Sequence, residues 1–183
     1  MIPATCGGYV LRFSRQTPEV LRAVYFATLA HDGQRRRYTN EPYIVHPLAV
    51  ATGVSEYVEF PQLTMAAVLH DVMEDCNVKY FELDELFGQA VATLVRDCTD
   101  VYTSKDFPHL KREERKLLEA KRIGEAGFGV AVIKAFDLLD NWPSIKLHDP
   151  KFAKVYLAEK QMLIPHMLNL PLALKRRLEK EIA

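Results

Sequence analysis

No apolar run in this 183-residue chain approaches the length that a membrane-spanning helix needs. Neither sign of charge is in excess, since 24 Lys and Arg balance 24 Asp and Glu. Composition therefore makes no electrostatic case for a nucleic-acid polymer or a membrane surface as partner. Cysteine is scarce and odd in number: Cys6, Cys76 and Cys98, with no C-x-x-C pair. That argues against a disulfide framework and reads as free thiols in a reducing compartment. The first residues lack the continuous apolar core of a signal peptide, being interrupted by Gly7, Gly8, Arg12, Ser14 and Arg15. There is no internal repeat, no low-complexity tract and no alternating strand pattern. These absences leave a cytoplasmic, single-domain, nearly all-α protein as the expectation, with ample length for a core.

What is present is helical periodicity with clear punctuation. Met1 to Gln16 shows no period and reads as an N-terminal extension. Thr17–Pro18 predicts a capped helix start, with Leu21, Val24, Tyr25, Thr28 and Leu29 as one apolar stripe running to His31. Gly33 breaks it, and Gln34 to Tyr43 reads as a basic loop with turn residues. Pro47 lies in the first turn of a second helix reaching about Val58. A third is expected from about Gln62 to Asp75, a short one over Tyr80–Phe87, and another to about Cys98. Thr99 to Pro108 looks irregular, and His109 to Arg122 strongly helical. Val130 to Phe136 alone could be a buried strand, but Leu138 to Trp142 extends the pattern to helix length, with Pro143 as its stop. Lys151 to Met167 and the basic Leu172 to Ile182 complete the pattern. The main domain is expected over 17–170, with 171–183 as a C-terminal helix packed on or extending it.

The stretch Ala66–Asp75 carries the first chemical signal. A greasy run, Ala66–Ala67–Val68–Leu69, leads directly into His70–Asp71 and then Glu74–Asp75. In a continuous helix residues four apart stack on one face, so His70 would lie over Glu74 and Asp71 over Asp75. Three carboxylates and an imidazole beside a core face cost several kcal/mol each unless compensated, and a divalent metal is the simplest compensation. A solvated helix end explains Glu74 and Asp75 equally well, but not the His70–Asp71 pair. Two further segments set polar groups in apolar surroundings: Pro42–Tyr43–Ile44–Val45–His46–Pro47 and Val132–Ile133–Lys134–Ala135–Phe136–Asp137. Each alone has a bland reading, as a hydrogen-bonded core histidine or a capping aspartate.

Taken in order, these blocks resemble the HD-domain metal-dependent phosphohydrolases, an all-helical superfamily. The chain is most similar to the hydrolase domain of the RelA/SpoT alarmone enzymes and their small stand-alone, metazoan SpoT-like relatives. The similarity runs through Ala30–His31–Asp32–Gly33–Gln34–Arg35–Arg36–Arg37, Pro42 to Pro47 and Val68 to Asp75. It continues through Phe87–Gly88–Gln89–Ala90–Val91 to Thr99 and ends in Lys134–Ala135–Phe136–Asp137–Leu138–Leu139–Asp140–Asn141. The resemblance implies a multi-helix bundle around a mononuclear metal site, with His46, His70, Asp71 and Asp137 as ligands and Mn²⁺ as the ion. It implies Glu74 and Asp75 as the catalytic pair, without deciding which is the base. On the substrate side it implies Arg36 on the purine, Arg37 on phosphate, Tyr43 shaping the site and Asn141 on the nucleoside. The chain is too short for a nucleotide-synthesising domain as well, so a stand-alone hydrolase is the expectation.

The function implied is removal of the 3′-pyrophosphate from ppGpp or pppGpp. The alternatives are a related nucleotide (ppApp, or the 2′-phosphate of NADPH) and a non-catalytic nucleotide sensor. Departures from the family pattern bear on substrate more than on chemistry. Leu138 stands where a basic residue is usual, Asp140 where His or Tyr is usual, Phe136 precedes Asp137, and Cys76 stands where Thr is frequent. Lys111, Arg112, Arg115 and Lys116 are further phosphate candidates, with a solvated helix face as the plainer reading.

Overall fold

The computed structural model describes residues 17–182; the expected extension over 1–16 lies outside the described residues. Among the described residues there is no strand, only an isolated bridge between Arg35 and Pro42. The fold is all-α, and the chain divides into two compact units, the first ending at Thr99 and the second starting at Asp100.

The first unit contains α1 (Pro18–Ala30), α2 (Val45–Tyr57), α3 (Pro61–Leu69), α4 (Val72–Asp75), α5 (Tyr80–Phe87) and α6 (Gln89–Cys98). Helix α3 is its centre, packing against α1, α2 and α6. Ala66, Ala67, Val68 and Leu69 are all fully buried. Burying side chains of the Val or Leu class is worth about 1.5–3 kcal/mol each, and the alanines allow neighbouring backbones to approach. That preference for close approach also overturns the expected stripe of α1. Val20, Ala23 and Ala27 form its buried face, while Leu21, Tyr25 and Leu29 are 43%, 68% and 57% exposed. Small side chains at i, i+3 and i+7 let α1 lie close to α3, which the bulkier set would prevent. Thr17 has an extended backbone as expected of an N-cap, but makes no side-chain capping bond.

The expected single helix from Gln62 to Asp75 is broken. Helix α3 ends at Leu69, His70 and Asp71 form a turn, and α4 starts at Val72. His70 Nδ1 donates to Ala67 O at 2.9 Å, taking a carbonyl that an unbroken helix would give to the Asp71 N–H. Such local side-chain bonds compete with the helical ladder. Asp75 keeps its helical tie to Asp71, N to O, at 2.9 Å. At the α5–α6 junction Gly88 has φ +83° and serves as the end of one helix and the start of the next, a left-handed conformation that favours glycine.

The second unit contains α7 (Arg112–Glu125), α8 (Phe128–His148), α9 (Pro150–His166) and α10 (Leu172–Glu181). The Val130–Phe136 run is helical and buried at Val130–Ile133, Ala135 and Phe136. Pro143 does not stop α8, which continues to His148. Proline forfeits one ladder bond, but Trp142 and Ile145 on either side are buried and hold that turn on the core. The irregular segment after Thr99 is fixed by Glu119, whose buried Oε1 accepts from Val101 N at 2.5 Å and Tyr102 N at 2.6 Å. Arg122 pairs with its Oε2 at 2.8 Å. Helix α10 rests on α8 and α9, burying Leu174 and Leu178.

Helix α7 runs three residues past Arg122, through Gly124 to Glu125, and α9 passes close at Gly124. A Cβ on Gly124 would press on the carbonyl oxygen and carbon of His166, whereas one on Gly127 meets open space. Gly124→Ala is expected to destabilise the protein by about 1–3 kcal/mol, read as a lowered denaturation midpoint, with Gly127→Ala closer to the parent.

Candidate metal centre

Three side chains of the first unit converge on one carboxylate, that of Asp71. His46 is the second residue of α2, placed by a bond from its N–H to Tyr43 O at 2.9 Å. His70 occupies the turn after α3. Both imidazoles are 1% exposed, and their rings meet edge to face with centroids 5.2 Å apart. His70 Nε2 lies 3.1 Å from Asp71 Oδ1, and His46 Nε2 lies 3.5 Å from Asp71 Oδ2. The Tyr43 hydroxyl donates to Asp71 Oδ2 at 2.8 Å.

The donor chemistry fits a divalent cation. A carbonyl oxygen only accepts, so the His70 Nδ1–Ala67 bond puts the ring hydrogen on Nδ1 and directs the Nε2 lone pair at Asp71. A neutral imidazole lone pair against a carboxylate oxygen is repulsive, and a cation shared by the two groups removes the repulsion. Fixing a ligand imidazole through its other nitrogen, and a ligand carboxylate through a hydroxyl, is the usual support of metal ligands. The turn that breaks the helix at His70 is thus what points Nε2 at the carboxylate.

Beside this node lies a second network, which sequence reasoning noticed only as a motif. Gln34 Nε2 donates to Asp75 Oδ2 at 2.9 Å. Gln34 Oε1 accepts from His31 Nδ1 at 2.6 Å, and Cys76 Sγ lies 3.2 Å from the same nitrogen. His31 is buried and its ring lies against Tyr43, with centroids 4.8 Å apart. Asp75 is therefore held from one side by a glutamine that is itself held in place. Glu74 and Asp75 are both exposed on α4. Burial, then the charges of Asp75 and Asp71, push the Cys76 thiol up to about 11. Thiol alkylation requires the thiolate, so Cys76 is expected to react with iodoacetamide at pH 8 at least ~10-fold more slowly than a free thiol. Mass spectrometry of the modified peptide checks this.

The basic loop folds back on itself. Arg36 N donates to Glu41 O at 2.9 Å, Tyr43 N to Gln34 O at 3.0 Å, and Asn40 N to Arg36 O at 3.0 Å. Arg36 is half-buried and Arg37 exposed, the latter with its guanidinium 5.3 Å from the Tyr38 ring centre. In the second unit, Asp137 and Asn141 sit one turn apart on α8, and Asn141 Nδ2 donates to Asp137 Oδ1 at 2.6 Å. Lys134, a turn earlier, places Nζ 3.8 Å from Asp137 Oδ2. The neighbouring Leu138 is 2% exposed, so the leucine there is a core residue of this unit. Arg112 is exposed and pairs with Glu159 at 2.6 Å, and the half-buried Lys116 pairs with Asp100 at 2.8 Å.

Comparison with known proteins places this geometry. The HD domain family model matches residues 23–164. The chain is 36% identical over 129 residues to a guanosine-3′,5′-bis(diphosphate) 3′-pyrophosphohydrolase of Aquifex aeolicus, covering 70% of this chain but only 18% of that protein. It is 32% identical over 133 residues to the Drosophila melanogaster guanosine-3′,5′-bis(diphosphate) 3′-pyrophosphohydrolase MESH1, covering 71% of each. A solved structure described as a metazoan ortholog of SpoT that hydrolyzes ppGpp superposes with a TM-score of 0.77 at 26% identity. That match covers 90% of this chain and 93% of the other. The chain belongs to the HD domain family, among relatives of the MESH1 and SpoT type.

Proposed function

We propose that the chain is a Mn²⁺-dependent phosphohydrolase that removes the 3′-pyrophosphate from guanosine tetra- or pentaphosphate, giving GDP or GTP and pyrophosphate. The observation that carries the reading is the convergence of His46, His70 and Tyr43 on Asp71 within 3.5 Å. His46, His70, Asp71 and Asp137 would hold the ion. Two imidazoles and two carboxylates suit a six-coordinate ion with open positions, and so Mn²⁺ better than a closed zinc site. When bound, the ion supplies an acidified water and positive charge for the phosphoryl oxygens.

The remaining work belongs to side chains. Glu74 and Asp75 divide proton transfer, one accepting a proton from the attacking water and the other returning one to the ribose 3′-oxygen as it leaves. Gln34 fixes one Asp75 oxygen and so directs the other. Tyr43 holds Asp71 in place, while Arg36 stacks on the purine and Arg37 takes phosphate, tasks suited to guanidinium. Asn141 steadies Asp137 and contacts the nucleoside. A second reading, hydrolysis of ppApp or of the NADPH 2′-phosphate, draws on Asp140, an extra carboxylate beside Asn141.

The test is Mn²⁺-reconstituted protein incubated with ppGpp, ppApp and NADPH, with products resolved by chromatography. GDP and pyrophosphate from ppGpp in equal amounts is the expected result. Orthophosphate and NADH from NADPH, without turnover of ppGpp, selects the second reading. Tight ppGpp binding with no turnover of any of the three selects a sensor.

A further inference from the structure

His31 closes α1 and is 3% exposed. Its N–H donates to Ala27 O at 3.0 Å and its carbonyl accepts from Gln34 N at 3.1 Å, a tight turn that sets the two side chains together. Gln34 O accepts from Tyr43 N at 3.0 Å, so the Gln34 backbone is tied at both of its polar groups. The direction of each side-chain bond then follows from the first. A carboxylate only accepts, so the Gln34 amide nitrogen is the group that faces Asp75 Oδ2, at 2.9 Å. The amide oxygen is left facing His31 Nδ1 at 2.6 Å, and Nδ1 must carry the hydrogen of that bond. Cys76 Sγ lies 3.2 Å from the same nitrogen, but sulfur is a weak acceptor. The amide oxygen is therefore the principal partner. The Tyr43 ring lies against the imidazole, tilted by 34° with centroids 4.8 Å apart, and helps to hold its plane.

We propose that His31 is a positioning residue of the hydrolytic site: its Nδ1–H sets which way the Gln34 amide points, and the amide in turn holds the Asp75 carboxylate. The inference rests on the function proposed above, in which Asp75 transfers a proton. The two ends of an amide have nearly the same shape, so packing alone does not choose between its orientations. The reversed amide would set Oε1 against Asp75 Oδ2, lone pair to lone pair, and the exposed carboxylate would be free to turn. His31 excludes the reversal, because it would also set N–H against N–H at Nδ1. A buried, ring-packed imidazole thus carries order over two hydrogen bonds to a carboxylate on the surface. Proton transfer needs such order, since misplacement by about 1 Å can cost ~100-fold in rate. His31 acts on the reaction through Gln34, not by touching the reacting atoms.

The experiment measures kcat and KM for ppGpp with Mn²⁺-loaded protein carrying His31→Leu, His31→Asn, Gln34→Leu, or His31→Leu with Gln34→Leu. His31→Leu removes the donor and is expected to lower kcat about 10-fold, with KM and Mn²⁺ affinity near those of the parent. His31→Asn, whose amide N–H falls where Nδ1 stands, should recover most of the rate. In the Gln34→Leu background, His31→Leu should change kcat by less than about twofold, since its effect passes through the missing amide. The same factor in both backgrounds, or an asparagine variant as slow as the leucine one, overturns the positioning role. A second measurement needs neither variant nor turnover: nitrogen-15 NMR of the parent should find the His31 hydrogen on Nδ1. An imidazole with hydrogen on Nε2 alone overturns the proposal. Turnover by the parent with equal losses in both backgrounds counts against His31 alone, whereas no turnover by the parent overturns the proposed function as well.

Discussion

Asp71→Ala is expected to remove tight Mn²⁺ binding and to lower ppGpp turnover by about a thousandfold or more. Asp71 is the point at which the site is tied together: both imidazole Nε2 atoms and the Tyr43 hydroxyl reach its two oxygens within 3.5 Å. Losing a supporting hydrogen bond to a metal ligand typically costs about 10–100-fold, and losing the ligand itself costs more. The comparison Tyr43→Phe separates the two, since it keeps the carboxylate and removes only the hydrogen bond. Calorimetry with Mn²⁺ and circular dichroism of each variant check the result. Retained helicity in that circular dichroism spectrum assigns the loss to the missing carboxylate rather than to unfolding.

Asp75→Asn is expected to lower kcat by about 10²–10⁴-fold while leaving Mn²⁺ affinity near that of the parent. The carboxylate is exposed and held by Gln34 at 2.9 Å, so its amide keeps the shape of the site and loses only the ability to take or give a proton. Glu74→Gln should fall in the same range, and the double variant should be little worse than the weaker single one, as groups acting in one step are not additive. The pH profiles separate their roles. Loss of the acidic limb of kcat marks the base, and loss of the alkaline limb marks the acid. A fall in Mn²⁺ affinity of similar size would instead make these residues ligands.

Much of this was legible in the residues. Helix order stands out through periodicity, and the His46 and His70–Asp71 blocks that meet in the fold stand out because polar groups set in apolar runs are costly. What could not be read depended on competition between neighbours. The break after Leu69 arises because one side chain, His70, takes the Ala67 carbonyl, and periodicity carries no trace of that choice. The buried face of α1 was misjudged because Leu21, Tyr25 and Leu29 are more apolar than Val20, Ala23 and Ala27. The latter win through close packing rather than hydrophobicity. Pro143 reads as a stop until Trp142 and Ile145 are seen to be buried around it. Gln34 lies within a motif, but its partner Asp75 is 41 residues away.

The central claim is that a metal held at the His46–His70–Asp71 node drives nucleotide pyrophosphate hydrolysis. The most direct measurement is the rate of pyrophosphate release from ppGpp by chelator-stripped protein as Mn²⁺ is added back, with bound metal counted in the same samples. The account predicts no release without metal, a rise in proportion to bound Mn²⁺ that saturates at one ion per chain, and no such rise for Asp71→Ala. Release that is independent of Mn²⁺, or no release of pyrophosphate with one ion bound per chain, would contradict it.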